Sequence, residues 1–378
     1  MTVVRGKYNT APTLPGLRPG ATRPGRSRMN NFDKADSHHR RSRLRKSPPM
    51  LSRLSIAAAW LLHLLPLPVL ALLGNAVGVV IYGLARRRRH IAMVNLGLCF
   101  PELDQARIRS LALAHFKVLT RSVLERTLLW WSSRERLNRL IRVDGDDCMR
   151  ALLAAGRPVL MLAPHFVGLD AGGVGIAMRF DSASIYAVQS NPVFDRLLLR
   201  GRRRFGDQLL LSRQESVRAS VRAMKSGRPL YYLPDMDFGR RDSIFVPFFG
   251  VPAATVPGLS RLARLAGASV VPCVTRVLPG GRGYLVRVGE PWQNFPTADV
   301  EADTRRMNEW IENAVRSMPE QYYWVHRRFK TRPPGEDRAY AAVASRSVQR
   351  TGDGSRQIYF HFPSDGSRFA LPPSKVIL

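Results

Sequence analysis

The chain has 378 residues, room for one large or two ordinary domains, and 45% of it is hydrophobic, enough for a sizeable core. Its 59 Lys and Arg stand against 28 Asp and Glu, a formal charge of +31. That imbalance suits an anionic partner, whether nucleic acid, anionic lipid or a phosphorylated substrate. Three widely separated cysteines, Cys99, Cys148 and Cys273, with no C-x-x-C spacing, argue against a disulfide framework or a thiolate zinc site and favour a reducing compartment.

Residues 1–50 are rich in Arg, Pro, Ser and Gly, with twelve Lys and Arg against Asp33 and Asp36. A segment so charged and so poor in apolar periodicity is expected to be disordered. Met29 and Met50 lie within it, so it also fits a start codon placed too far upstream. Leu54 to Ala85 then carries no Asp, Glu, Lys or Arg, more than the roughly 20 apolar residues that cross a bilayer. Pro66, Pro68, Gly74 and Asn75 interrupt it, so two shapes fit: one kinked span, or an interfacial helix followed by a shorter hydrophobic one. A cleaved signal peptide fits less well, the run being too long. Arg86–Arg89 follow at once and mark a cytoplasmic end by the positive-inside tendency, although the basic N-terminus pulls the same way.

Residues 104–131 read as a long helix, with Phe116, Leu119, Val123, Leu124, Leu128 and Trp131 at spacings of three and four. Strand-like runs follow at Pro158–Leu162, Ser184–Val188, Pro229–Leu233, Ser269–Val277 and Gly283–Val288. Helical patterns lie between them at 215–226 and at 257–266, where Gly267 stops the helix. A last helix is expected over 299–317. The alternation predicts an α/β fold with a central sheet flanked by helices. The domain plan is a basic segment 1–50, a hydrophobic membrane anchor and basic flank 51–90, a main domain 91–335 and a disordered tail 336–378.

The stretch VLMLAPHFVGLDAGG, residues 159–173, sets His165 before the acid Asp170 with four residues between them. On one helix the pair would lie roughly 140° apart and never meet. A buried strand ended by Pro164, a turn at Gly168 and a helix starting in AGGVGIA would instead put His165 at a strand's carboxyl end and Asp170 in the first helical turn. Open α/β sheets place their sites there. A carboxylate on one imidazole nitrogen makes the other a general base for an alcohol attacking an acyl carbon. Backbone N–H groups near the Val167–Gly168 turn are expected to receive the oxyanion. With no G-x-S-x-G elbow, direct transfer is preferred to a covalent acyl-enzyme. The same residues also fit a strand-end histidine beside a helix-capping acid.

Asp235 and Asp237 form a D-x-D pair at another strand's end, which suits a divalent metal in sugar transfer, a turn cap, or the steering of a nearby histidine. Phe245, Phe248 and Phe249 fit core packing or a lipid-facing wall. QYYWVHRRFKTRPPG, residues 321–335, interleaves His326, Arg327, Arg328, Lys330 and Arg332 with aromatics. Arg forks match phosphate and carboxylate groups, and a solvated basic edge reads the same way. Gly201–Gln208 is a second basic cluster of the same kind. No RRM, KH or helix-turn-helix pattern supports nucleic acid. Glu312 and Arg276 read as structural.

Six motifs in order, NLGLCFPEL (95–103), APHFVGLD (163–170), NPVFDRLLLRGRRRFG (191–206), LPDMDFG (233–239), IFVPFFGVPAAT (244–255) and PEQYYWVHRRFKTRPPG (319–335), resemble the late lipid A biosynthesis acyltransferases, lauroyl/myristoyl type, of the H-x4-D/E acyltransferase superfamily. The resemblance covers about residues 51–335 and implies a glycerolipid-acyltransferase-like fold at the cytoplasmic face of a bacterial inner membrane. It implies transfer of a fatty acyl group from acyl carrier protein to a hydroxyl on an acyl chain of a Kdo-bearing, phosphorylated lipid A precursor. It makes His165 the base and Asp170 its partner. Asp235, Asp237, His326, Arg327, Arg328 and Lys330 become substrate-binding residues, with no metal or cofactor. Many relatives carry Glu at the place of Asp170, and many read YRP where this chain reads YAVQSNP, so an anion-binding Arg near Tyr186 is absent. Two rival readings are a metal-dependent glycosyltransferase using Asp235 and Asp237, and a non-catalytic membrane-tethered basic binding protein.

Overall fold

In the computed structural model residues 50–189, 191–212, 216–340, 347–350, 356–361 and 368–370 are described. The basic segment 1–49 lies outside them. The hydrophobic run breaks at 63–66 into α1 (Met50–Leu62) and α2 (Leu67–Leu84), because Pro66 and Pro68 belong at a helix start and not inside one. Of the two expected shapes the structure takes the two-helix one, with the second helix the longer. By length and composition α2 could cross a membrane. One of its faces, however, lies against α4 (Gln105–Trp131). A Cβ on Gly74 would stand 2.6 Å from the Arg121 Cα, and one on Gly78 would stand 2.6 Å from the Lys117 Cα, so this small-xxx-small pair lets the two backbones touch. The opposite face leaves Leu72, Val80 and Leu84 exposed, and α1 adds Trp60 and Leu61.

The predicted long helix is α4, begun by Asp104, whose side chain accepts from the Arg107 N–H. Before it runs α3 (Arg86–Cys99), and after it come α5 (Arg134–Leu140), β1 (Ile141–Asp144) and α6 (Asp147–Ala154). Then β2 (Val159–Leu162), α7 (Leu169–Ala177), β3 (Ala183–Tyr186), α8 (Pro192–Arg202), β4 (Leu209–Ser212), α9 (Ser216–Lys225) and β5 (Leu230–Tyr232) alternate. A separate antiparallel hairpin, β6 (Ile244–Phe248) and β7 (Val251–Thr255), precedes α10 (Gly258–Ala266), β8 (Ser269–Val277), β9 (Tyr284–Val288) and α11 (Val300–Ser317). Gly267 ends α10 at φ 63°, a left-handed cap that favours glycine.

Seven strands form one sheet in the order β1-β9-β8-β2-β5-β3-β4. Five neighbours, β8 to β4, run parallel; β9 is antiparallel to β8, and β1 follows β9. The fold is α/β, a central sheet with helices on both faces. All four residues of β2 are buried. Leu160 and Leu162 pack into one layer with Leu230 and Val270, and Val159 and Met161 into the other with Val271 and Cys273. Sandwiching of this kind explains why β2 reads as a continuous apolar run. Strands β1 and β4 and the hairpin had no sequence forecast, since four residues such as IRVD or LLLS give too few periods.

Of the two readings open for the phenylalanines, core packing holds for Phe248 and Phe249, which are buried. In the tail, expected to be disordered, β10 (Ser347–Arg350), β11 (Arg356–His361) and β12 (Arg368–Ala370) pair antiparallel; the apolar residues Ile358, Tyr359 and Phe360 give β11 the composition of a strand.

Candidate active site

Strands β2 and β5 are parallel neighbours, with Leu162 opposite Tyr232, and the Ala163 N–H continues the ladder to the Tyr232 carbonyl at 2.9 Å. His165 stands three residues beyond Leu162, and Asp235 three beyond Tyr232, so equal register delivers both to the same carboxyl edge. The ring Nδ1 of His165 lies 2.7 Å from Asp235 Oδ1, and the backbone N–H of His165 donates to Asp235 Oδ2 at 3.0 Å. The Tyr322 hydroxyl gives Asp235 a further bond. Burial by itself would raise the Asp235 carboxyl; the charge and two hydrogen bonds of His165, with the Tyr322 bond, bring it down to about 2. Asp235 is thus a buried carboxylate across Nδ1, which puts the proton there and leaves the Nε2 lone pair of a 19%-exposed imidazole open to a ligand.

Asp170 does not occupy that position. It sits where the turn was expected, in the first turn of α7, but its carboxylate is claimed by two guanidinium groups: Arg126 Nε of α4 at 2.5 Å and Arg202 Nη2 of α8 at 3.2 Å. Burial acts to raise this carboxyl as well, and the two arginines lower it to about 2. In this structure the acid hydrogen-bonded to the imidazole is Asp235, and Asp170, expected there, pairs with the two arginines instead. Sequence proximity suggested one acid; strand pairing supplied the other from 70 residues away. The small residues of AGGVGIA let α7 pack closely on the sheet, since a Cβ on Gly172 would fall 2.0 Å from Thr275 Oγ1.

The C-terminal motif wraps the His165 turn. Val167 N–H donates to the Gln321 carbonyl at 2.8 Å, and Tyr323 N–H to the His165 carbonyl at 3.0 Å. The first bond engages the Val167 N–H that was expected to receive an oxyanion. Buried Asn95 of α3 holds the far side, its amide donating to the carbonyls of Trp324 and His326 at 2.7 Å each. Arg328 is 2% exposed and donates to the Ala254 carbonyl at 2.9 Å and to Thr255 Oγ1 at 2.7 Å. In this structure it is an internal brace on β7. Asp237 is likewise buried, accepting from the Thr331 N–H at 2.7 Å, the Thr331 hydroxyl at 2.9 Å and the Gly239 N–H at 2.9 Å. Both D-x-D carboxylates are hydrogen-bonded within the protein itself. Lys330 is exposed with Nζ 3.9 Å from Asp237, and the half-buried Arg327 lies over the Tyr340 ring at 5.7 Å. Arg276 braces the Ser317 carbonyl at 2.8 Å.

Residues 38–331 match the family model of the bacterial lipid A biosynthesis acyltransferases. The chain belongs to that family. It is 35% identical over 291 residues to a lipid A biosynthesis lauroyltransferase of Escherichia coli, covering 77% of this chain and 94% of that one. It is 32% identical to the palmitoleoyltransferase of the same organism over 77% and 94%, and 32% identical to its myristoyltransferase over 72% and 83%. A solved 1-acyl-sn-glycerophosphate acyltransferase from Thermotoga maritima gives a TM-score of 0.31 at 15% identity, over 66% of this chain and 97% of that one.

Within this lipid A acyltransferase, sequence reasoning missed three contributors. Arg126 lies mid-helix in α4 with nothing local to mark it. Arg202 belonged to the basic cluster at 201–208, but only the approach of α8 to α7 shows its partner. Tyr322 looked like one aromatic among several until its hydroxyl met Asp235.

Proposed function

We propose that this lipid A acyltransferase moves a fatty acyl group from acyl carrier protein to a hydroxyl on an acyl chain of a Kdo-bearing, phosphorylated lipid A precursor. The observation that carries the reading is the buried Asp235 carboxylate on His165 Nδ1 at the mouth of the parallel sheet. Nε2 takes the proton of the acceptor hydroxyl while its oxygen attacks the thioester carbonyl. As the tetrahedral intermediate collapses, the C–S bond breaks and the leaving thiolate recovers the proton from the imidazolium. General-base help of this kind is worth about 10²–10⁴ in rate. Asp170 holds Arg126 and Arg202 beside the turn, where two guanidinium groups outweigh one carboxylate and favour an anionic part of the acceptor or donor. Of the C-terminal motif, Arg327 and Lys330 remain to meet phosphate or the Kdo carboxylate.

The exposed apolar faces of α1 and α2 are the natural contact with lipid. Since α2 also packs backbone-to-backbone on α4, we read the pair as seated in one leaflet of the bacterial inner membrane with the catalytic edge on the cytoplasmic side. Replacing His165 by Ala is expected to abolish acyl transfer by purified enzyme in mixed micelles while vesicle binding survives; full turnover by that variant would reject the base assignment. Mass spectrometry of lipid A from cells lacking the protein would identify the acyl chain that disappears.

A further inference from the structure

The segment 235–237 holds two histidines in complementary ways. By its carboxylate Asp235 takes Nδ1 of His165. By its backbone N–H Asp237 donates to Nε2 of His326 at 3.2 Å. An imidazole nitrogen that accepts carries no proton, so the proton of neutral His326 sits on Nδ1. No donor or acceptor among the described residues engages that nitrogen, and it is not a sealed-off atom. Burial, with the charges of His165 and Arg328, lowers His326 to about 4 against the opposing pull of Asp235 and Asp237, so near pH 7 the ring is neutral. Its backbone is pinned: the N–H donates to the Tyr323 carbonyl at 3.2 Å, and the carbonyl accepts from Asn95 at 2.7 Å and from the Arg328 N–H at 3.1 Å. Tyr323 in turn is bonded to the His165 carbonyl. Two adjoining, rigidly braced segments thus present an imidazole lone pair on one ring and an imidazole N–H on the other.

We propose that His326 is the neutral oxyanion donor of the acyl transfer, its Nδ1–H received by the thioester carbonyl oxygen as that oxygen gains charge. The inference rests on the acyl-transfer reading above. It fills the place left by the Val167 N–H, which is spent on Gln321. It also gives the histidine of the basic motif a task other than binding an anionic head group as a cation. As the acceptor oxygen bonds to carbon, the C=O electron pair moves onto oxygen and is held by Nδ1–H. When C=O re-forms the thiolate departs, and His326 keeps its proton throughout. A neutral donor suits this step because it stabilises the oxyanion without surrendering a proton to it.

Side-chain amides separate the two nitrogens. In His326→Asn the amide N–H falls near Nδ1, whereas in His326→Gln the amide falls near Nε2 and can meet only the Asp237 N–H. Steady-state transfer from acyl-acyl carrier protein to the Kdo-bearing precursor is expected to show kcat reduced about 10²–10³-fold in His326→Ala and His326→Gln. KM for the donor should change little, and His326→Asn should recover at least about tenfold over His326→Ala. Thermal midpoints check folding, and the Asn–Gln contrast stands even where Ala unfolds. Wild-type rates in His326→Gln, no advantage of Asn over Gln, or a loss carried by KM alone would overturn the proposal while leaving acyl transfer intact. A wild-type enzyme that transfers no acyl group would sink both. Independently of turnover, long-range 15N–1H correlation of 15N-histidine-labelled enzyme is expected to show His326 as the Nδ1–H form at pH 7; an Nε2–H form would refute it.

Discussion

Asp235→Asn tests the assignment on which the catalytic edge depends. The substitution keeps the shape of a buried, 1%-exposed side chain and removes its charge. Asp235 meets the His165 ring at 2.7 Å and the His165 N–H at 3.0 Å, and Tyr322 also donates to it. A carboxyl lowered from 3.8 to about 2 represents about 2 kcal/mol of stability at neutral pH. The sign follows from the direction: the folded state prefers the ionised form, so that stability is present above about pH 4 and lost as pH falls toward 2. Asn forfeits it at every pH. The catalytic loss is larger, because an amide no longer fixes the proton on Nδ1 and no longer stabilises the imidazolium; a fall of about 10²–10⁴ in kcat is expected. The assay is acyl transfer in mixed micelles under saturating donor and acceptor, beside urea denaturation at pH 7. Were Asp235→Asn to stay within about tenfold of wild type while Asp170→Asn abolished turnover, ring orientation would return to Asp170 and the assignment would be wrong.

Two further outcomes follow from packing and burial. Gly172→Ala puts a methyl 2.0 Å from Thr275 Oγ1 and 2.9 Å from the Tyr231 hydroxyl, so α7 must lift from the sheet at a cost of about 1–3 kcal/mol. The neighbouring Gly173→Ala meets nothing within 4 Å and should leave the thermal midpoint unchanged or higher; equal effects at the two positions would contradict the packing. His115 is fully buried, its Nδ1 3.0 Å from the Glu320 carbonyl, and burial lowers it from 6.5 to about 4 despite that bond. The folded state favours the neutral ring, so stability is whole above about pH 6.5 and erodes by about 3 kcal/mol toward pH 4. His326 shares that window. Denaturation curves at pH 7 and pH 5 should therefore lie closer together in His115→Gln than in wild type, and an unchanged spacing would show that His115 does not contribute.

Local pattern was enough for much of this molecule. The strands at 159–162, 230–232, 269–277 and 284–288 announce themselves because each is a short apolar run bounded by Pro or Gly, and the helices at 105–131 and 300–317 because their apolar residues recur at helical spacing. His165 at a strand's end was legible for the same reason. The motif resemblance extended the reading to the family. Partners were not legible. His165 and Asp170 are close in sequence, and proximity made them look like a couple, yet a turn and the first coil of α7 carry the acid to Arg126 and Arg202. Asp235 reaches the imidazole because β2 and β5 are neighbours in register, a fact of sheet order. The basic motif divides on the same ground: Arg328 turns inward to brace β7, His326 is desolvated into neutrality, and Lys330 stays in solvent. Residue type and spacing along the chain decided which elements form and where reactive groups begin, since those depend on neighbours a few residues away. Which charge meets which, and which side chains keep water, depended on distant segments being brought together, as Asn95 is with His326 across 231 residues, and only the folded sheet and its covering loops fix that.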